Sequence, residues 1–326
     1  MILCLDSASH FKNFEFYKKE ITYCGSIKLL LGLINLNSIE FVFYTVENSF
    51  INICASHFLN KKGIKTILFI DGVFEWQNSY HNLNNSSRPV AELGKNSTTY
   101  VCCNDITLSY LNKKGNFMKF VNTRVTGNTD ETLKSRLPDT KKILITTAKN
   151  PYFNNKEKER LINILREIIL ECKKSKIISD VRFFDSSILN ALQDLNVTNQ
   201  ISENFHNTAI NYSAIITTPS SISIECMRIG KRVGHIIHRD VPITIPSAWY
   251  FHGSMDIQEG LFNILNKEDT SRDLFQDTIL KEHVEDLTPF IQCIEENSVC
   301  KQYRKRFKFY ERLDFIWRLP YEIFLK

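Results

Sequence analysis

Glycine and proline are scarce in this chain, at 11 and 8 of 326 residues, so there is little material for long flexible linkers. No apolar run is long enough to span a bilayer. The run from Leu29 to Ile34 is short, with Lys28 before it and Asn35 and Asn37 after it. The N-terminus opens Met1-Ile-Leu-Cys-Leu-Asp6, without a basic region followed by a long apolar core. It reads as a first β-strand and not as a signal peptide. No Cys-x-x-Cys pair occurs, and the nine cysteines are scattered and odd in number. That speaks against a metal site or a disulfide framework and for buried free thiols in a reducing compartment. An Asp-x-Asp metal motif at a strand end is missing too. No nucleic-acid motif is present, and a net charge of +5 is too mild to suggest one.

What is present is a globular composition of two-domain size, 43% hydrophobic and 24% charged. In the first half, short apolar runs at 2–5, 39–44, 66–70 and 99–103 read as strands. Stretches at 26–36 and 49–61 read as helices. The Asn- and Ser-rich stretch from Glu75 to Asn96 reads as a long loop. In the second half, 142–147, 181–184, 214–216 and 233–238 read as strands and 209–210 as a short one. Between them, 157–172 has apolar residues at helical spacing, and 188–195 is a shorter helix. Strands alternating with helices predict α/β architecture with a parallel sheet in each half. The predicted domains are 1–135 and 136–300, with a basic aromatic helix at 301–326.

The most informative stretch is Asn211 to Gly234. A buried strand, Ala214-Ile-Ile216, enters a turn crowded with hydroxyls at Thr217, Thr218, Ser220 and Ser221. Ser220 or Ser221 caps the helix that follows, Glu225 lies within it, and Gly230 ends it. A helix N-terminus offers free backbone N–H groups and partial positive charge, a ready site for phosphate. An ordinary capped turn that binds nothing has the same pattern.

This segment, from the strand and Ser-Ser through the small helix with Glu to Gly-Lys-Arg-Val and the next strand, resembles the nucleotide-binding segment of bacterial GT-B enzymes of surface polysaccharide synthesis. These include sialyltransferases, capsule Kdo transferases and CDP-glycerol glycerophosphotransferases. Val125-Thr-Gly-Asn128 is similar to their Val-Thr-Gly-Asn-Pro segment, with Thr129 in place of Pro. The resemblance implies a GT-B fold, two Rossmann-like doubly wound domains facing a cleft, with the C-terminal helix packing back on the first. It also implies that Ser220 and Ser221 lie beside the phosphate of a CMP- or CDP-linked donor. Thr218, Glu225, His238, and Lys149 and Asn150 of the loop after the first strand of domain two complete the expected donor site. The His-Pro pair common in these enzymes is absent from the chain. Its place is taken by Val181-Arg-Phe-Phe-Asp-Ser-Ser187.

Asp71, followed by Gly72, ends a buried strand where the resembling sialyltransferases carry an acidic-Gly motif. The resemblance makes it the general base on the acceptor hydroxyl, with Glu75 in reserve. Closing the turn is its plain alternative. The expected function is transfer of an acidic sugar, such as sialic acid, from a CMP-activated donor to a glycan or glycolipid acceptor, by inversion and with no metal or other cofactor. Alternatives are a CDP-glycerol or CDP-ribitol phosphotransferase, a UDP-sugar transferase, and a non-catalytic assembly subunit. The expected location is the cytoplasm. Lys301, Arg304, Lys305, Arg306, Lys308 and Arg312 allow peripheral contact with the inner face of the membrane.

Overall fold

The computed structural model describes residues 2–5, 21–44, 50–74, 97–103, 105–113, 115–119, 141–149, 151–240, 243, 245–253, 255–266 and 268–283. The segment 125–128, the loop 75–96, the boundary at 135/136 and the helix 301–326 fall outside them. The described residues form two separate parallel sheets.

The first sheet contains β1 (Ile2–Cys4), β2 (Ile21–Tyr23), β3 (Phe41–Tyr44), β4 (Lys65–Val73), β5 (Thr98–Cys102) and β6 (Phe117–Lys119). Its spatial order is β2-β1-β3-β4-β5-β6. Helices α1 (Ser26–Leu30), α2 (Phe50–Lys61) and α3 (Asp105–Asn112) alternate with the strands. Residues 26–36, read as one helix, divide into α1 and a 3-10 turn at Leu36–Ser38. Gly32 at φ 73° lies between them, a conformation glycine takes at little cost. Val42, Tyr44, Leu68, Ile70 and Val101 belong to one buried cluster with Leu29, Leu30, Ala55, Leu59 and Leu111. The opposite face carries Phe41, Phe43, Phe69 and Tyr100, and the Phe69 and Tyr100 rings stack at 5.1 Å.

The second sheet contains β7 (Lys142–Thr146), β8 (Ile178–Arg182), β9 (Ala214–Thr217), β10 (Arg232–Ile236) and β11 (Trp249–Phe251). Its order is β11-β10-β9-β7-β8, and each pair is parallel. Every residue of β9 and β10 is buried, the mark of strands covered on both faces. The helices are α4 (Asn155–Lys174), α5 (Ser186–Ala191), α6 (Phe205–Ala209), α7 (Ser221–Arg228), α8 (Ile257–Leu265) and α9 (Thr270–His283). Along α4, Leu161, Ile164, Leu165, Ile168, Ile169 and Cys172 are buried at helical spacing. Burial pushes the Cys172 thiol up to about 12, as suits an inert core cysteine.

Residues 209–210, expected as a short strand, are instead the end of α6. The Asn204 side chain accepts from the Asn207 amide and starts that helix. The sequence reading also passed over β2, α3, β11, α8 and α9.

Taken in chain order from β7, the second sheet reads 2-1-3-4-5, and the first sheet has the same sequence with a sixth strand added. In such a sheet the crossover connections leave on opposite sides of strands 1 and 3. The gap outside their carboxyl ends is the usual ligand position. In the second sheet that gap lies between β7 and β9. Among the described residues no helix is long and apolar enough to cross a membrane.

Candidate functional site

The β7–β9 gap is where the hydroxyl-rich turn opens. Thr146 of β7 pairs with Thr217 of β9, so Thr147 and Thr218 follow side by side as the two chains leave the sheet. Thr218 is buried, and its Oγ1 accepts from the Ala148 backbone N–H at 2.8 Å. The two exit turns are thereby fastened together. Ser220 is the N-cap residue of α7, with extended backbone (φ −170°, ψ 174°), but its side chain does not cap the helix. Its Oγ is enclosed and makes no hydrogen bond. Ser221 is the first helical residue, and Glu225 is half-buried one turn further on. Gly230, at φ 73°, follows the helix in the left-handed conformation that stops it.

The loop leaving β7 is held on three sides. Ala148 is bound to Thr218, as above. Next, the Pro151 carbonyl accepts from His238 Nε2 at 2.6 Å and from the Arg239 guanidinium, both just past β10. Third, the Tyr152 hydroxyl donates to Asp185 Oδ2 at 2.7 Å, at the exit of β8. The loop then enters α4 through a reciprocal cap. Asn154 accepts from the Glu157 amide at 2.9 Å, and Glu157 accepts from the Phe153 amide at 2.9 Å. Arg239 lies 4.5 Å from the Phe153 ring centre and 3.8 Å from Glu157. A loop fixed by this many partners keeps its backbone groups in place without a ligand, which is the condition for low-cost recognition.

Burial lowers the pKa of His238, with the Pro151 carbonyl opposing and Arg239 reinforcing the shift. For Asp185 burial acts upward. Hydrogen bonds from Ser187, Tyr152 and the Ser187 and Ile188 amides outweigh it and hold the carboxyl below the usual range. Asp185 is thus the N-cap of α5. Behind it, Arg182 is buried and donates to the Gln200 and Glu203 carbonyls, with the Phe184 and Phe205 rings 5.2 and 5.9 Å from its carbon. Phe184, in the 181–187 stretch that stands in place of the His-Pro strand, is 57% exposed.

The structure therefore brings Lys149, Thr218, Ser220, Ser221 and His238 to one end of the second sheet, with Glu225 a turn away. Lys149 is exposed and His238 buried. Asn150 and Glu75 lie outside the described residues. Asp71, expected to end its strand, lies within β4, which continues to Val73, and its side chain is likewise outside the described residues. Sequence reasoning singled out the loop at 149–155 but missed Thr147 and the anchoring contacts of Pro151 and Tyr152. Their one signal was position, just after the first strand of the second domain. Among the described residues no three His, Cys, Asp or Glu side chains gather as a metal site would require.

No protein-family model matches the chain, and no curated protein sequence matches it. Solved structures do match. The S. aureus MnaA–UDP co-structure superposes with a TM-score of 0.60 at 12% identity, covering 94% of this chain and 99% of the other. A putative UDP-N-acetylglucosamine 2-epimerase from Listeria monocytogenes gives 0.58 at 11%, with the same coverage. A glycosyltransferase from Rickettsia africae gives 0.52 at 13%, covering 92% and 90%. At these identities the likeness establishes the fold. The chain has the GT-B architecture of two Rossmann-like α/β domains.

Proposed function

We propose that the protein is a glycosyltransferase that uses a UDP-linked sugar. The observation that carries this reading is the enclosed, unpartnered Ser220 hydroxyl at the N-terminus of α7, in the gap between β7 and β9. Buried polar groups are nearly always bonded, so one left open at a ligand position suits a partner that arrives with the substrate. A phosphate oxygen fits there, beside the first-turn amides of α7. Ser221 adds a second hydroxyl, Thr218 holds the turn, and exposed Lys149 supplies positive charge. Glu225 suits a donor hydroxyl. Asp71, from the other domain, is the proposed base on the acceptor.

Among the donors suggested by the sequence, UDP is supported better than CMP. The MnaA structure was solved with UDP, and the Listeria protein is described by a UDP-sugar activity. That second likeness, spanning 99% of the Listeria chain, also favours a second reading, an enzyme that acts on a UDP-sugar without an acceptor.

Calorimetric titration with UDP, CMP, CDP and GDP tests the proposal. UDP is expected to bind most tightly and to raise the melting temperature. A ligand at 100 times its Kd adds about 2.7 kcal/mol. Tighter binding of CMP would restore the acidic-sugar reading, and no binding by any of the four would favour the non-catalytic subunit. Incubation of a UDP-sugar with and without acceptor glycans separates transfer from acceptor-independent conversion.

A further inference from the structure

We infer that Thr147 is a second phosphate ligand, facing Ser220 across the gap between β7 and β9; the inference rests on the proposed donor site. Thr147 is 1% exposed, and its Oγ1 is enclosed with no hydrogen-bond partner. Among the described residues, Thr147 and Ser220 are the Ser and Thr side chains in that condition. They follow two different strands, 73 positions apart in sequence, yet both lie where the chain leaves the sheet at the carboxyl ends of the adjacent strands β7 and β9.

The register explains the convergence. Thr146 pairs with Thr217, so Thr147 is the neighbour of Thr218 one step beyond the ladder. Side chains alternate across a strand, so Thr147 and Thr218 stand on the same face. Thr218 binds the Ala148 amide, immediately after Thr147. That bond fixes the backbone on both sides of the gap and holds Thr147 and the Ser220 turn in a set relation. An orphaned hydroxyl destabilises the empty protein, because it has given up water and gained nothing. Two such groups at a strand-order reversal, one beside a helix N-terminus, are matched to a ligand with several acceptor oxygens. A diphosphate is that ligand. Hydroxyls donate to its oxygens through bonds strengthened by the ligand's charge.

The site can be tested with Thr147→Val, which keeps the shape and removes the donor, and Thr147→Ser, which keeps the donor. Each would be titrated with UDP, uridine and pyrophosphate, and its melting temperature measured without ligand. Thr147→Val should lower UDP and pyrophosphate affinity about tenfold or more, as for a lost bond to a charged group. Uridine affinity should stay within about twofold, and the ligand-free melting temperature should hold or rise. Thr147→Ser should bind UDP nearly as the parent does. If Thr147→Val keeps the parental affinity for UDP and pyrophosphate, or loses uridine equally, the inference fails. Binding of pyrophosphate but not of any nucleotide by the parent would remove the UDP reading and leave Thr147 as a phosphate ligand. Binding of none of these probes by the parent would remove both.

Discussion

Thr218 Oγ1 accepts a hydrogen bond from the Ala148 amide at 2.8 Å, joining the exits of two adjacent strands through one side chain. The bond lies at the carboxyl ends of two interior strands, where Thr218 is 1% exposed and Ala148 is half-buried. Removal of the acceptor leaves a half-buried N–H without its partner. Thr218→Val should therefore destabilise the protein by about 1–3 kcal/mol. It should also weaken UDP, because the loop and the Ser220 turn lose their tie. Thr218→Ser should recover most of both. Urea unfolding and UDP titration of the two variants measure this, and a Val variant as stable as the parent would refute it.

His235, on β10, is fully buried, and its Nε2 lies 2.7 Å from Ser223 Oγ of α7. Burial brings its pKa down to about 3, with the Ile245 backbone opposing. The unfolded chain binds a proton near pH 6.5, whereas the folded ring stays neutral to about pH 3. The unfolded state thus holds more protons across that window, and stability falls as pH falls through it. Between pH 6.5 and 4.5 this one residue should cost about 2–3 kcal/mol. His235→Gln keeps polar groups without the titration. Its stability should change less than the parent's between pH 7 and 4.5, whatever its value at pH 7. Parallel acid curves for the two proteins would show that His235 is not the titrating group.

The strand–turn–helix around Ser220 was readable because each of its signals is local. The apolar run Ala214–Ile216, the hydroxyls after it and Gly230 lie within one short stretch and are governed by local backbone sterics, although the expected Ser220 side-chain cap does not form. Strand order was not readable, because pairing of Thr146 with Thr217 joins residues far apart in sequence. Without that order the β7–β9 gap has no address, and Thr147 looks like the last residue of any buried strand. The orphaned state of its hydroxyl is a property of the packed fold alone. β11 has three residues, too few for a visible alternation. At 209–210 the apolar pair misled, since a local Asn204 cap decides the outcome in favour of a helix.

Gly234 sits in the middle of β10 opposite Trp249 of β11. A Cβ there would come within 2.6 Å of Phe251 Cε2 and 3.2 Å of Ile264 Cδ1. Phe251 is fully buried, so its ring cannot swing into solvent. Gly234→Ala should cost about 1–3 kcal/mol, as overpacked cores do. Phe251→Leu should cost stability by itself through lost packing. The double variant should be more stable than the sum of the two losses, because the smaller side chain removes the clash. Strict additivity in thermal unfolding would locate the cost elsewhere.

Asp71 offers the cleanest division between chemistry and binding. Its backbone lies in β4 of the first sheet, whereas Ser220, Thr218 and Lys149 belong to the second. The proposed base in one domain and the proposed phosphate site in the other predict two independent losses. Asp71→Asn preserves shape and removes the proton acceptor, and should lower kcat about 10²–10⁴-fold. UDP affinity should remain within about twofold of the parent. Ser220→Ala with Ser221→Ala should do the reverse, weakening UDP by about 0.5–1.5 kcal/mol for each neutral bond lost. The acceptor-dependent rate as a function of pH adds a further check. With a carboxylate base the parental rate should rise as that group loses its proton, and Asp71→Asn should lose the rise. If Asp71→Asn turns over at nearly the parental rate, the base is another group, and Glu75 is the next to replace.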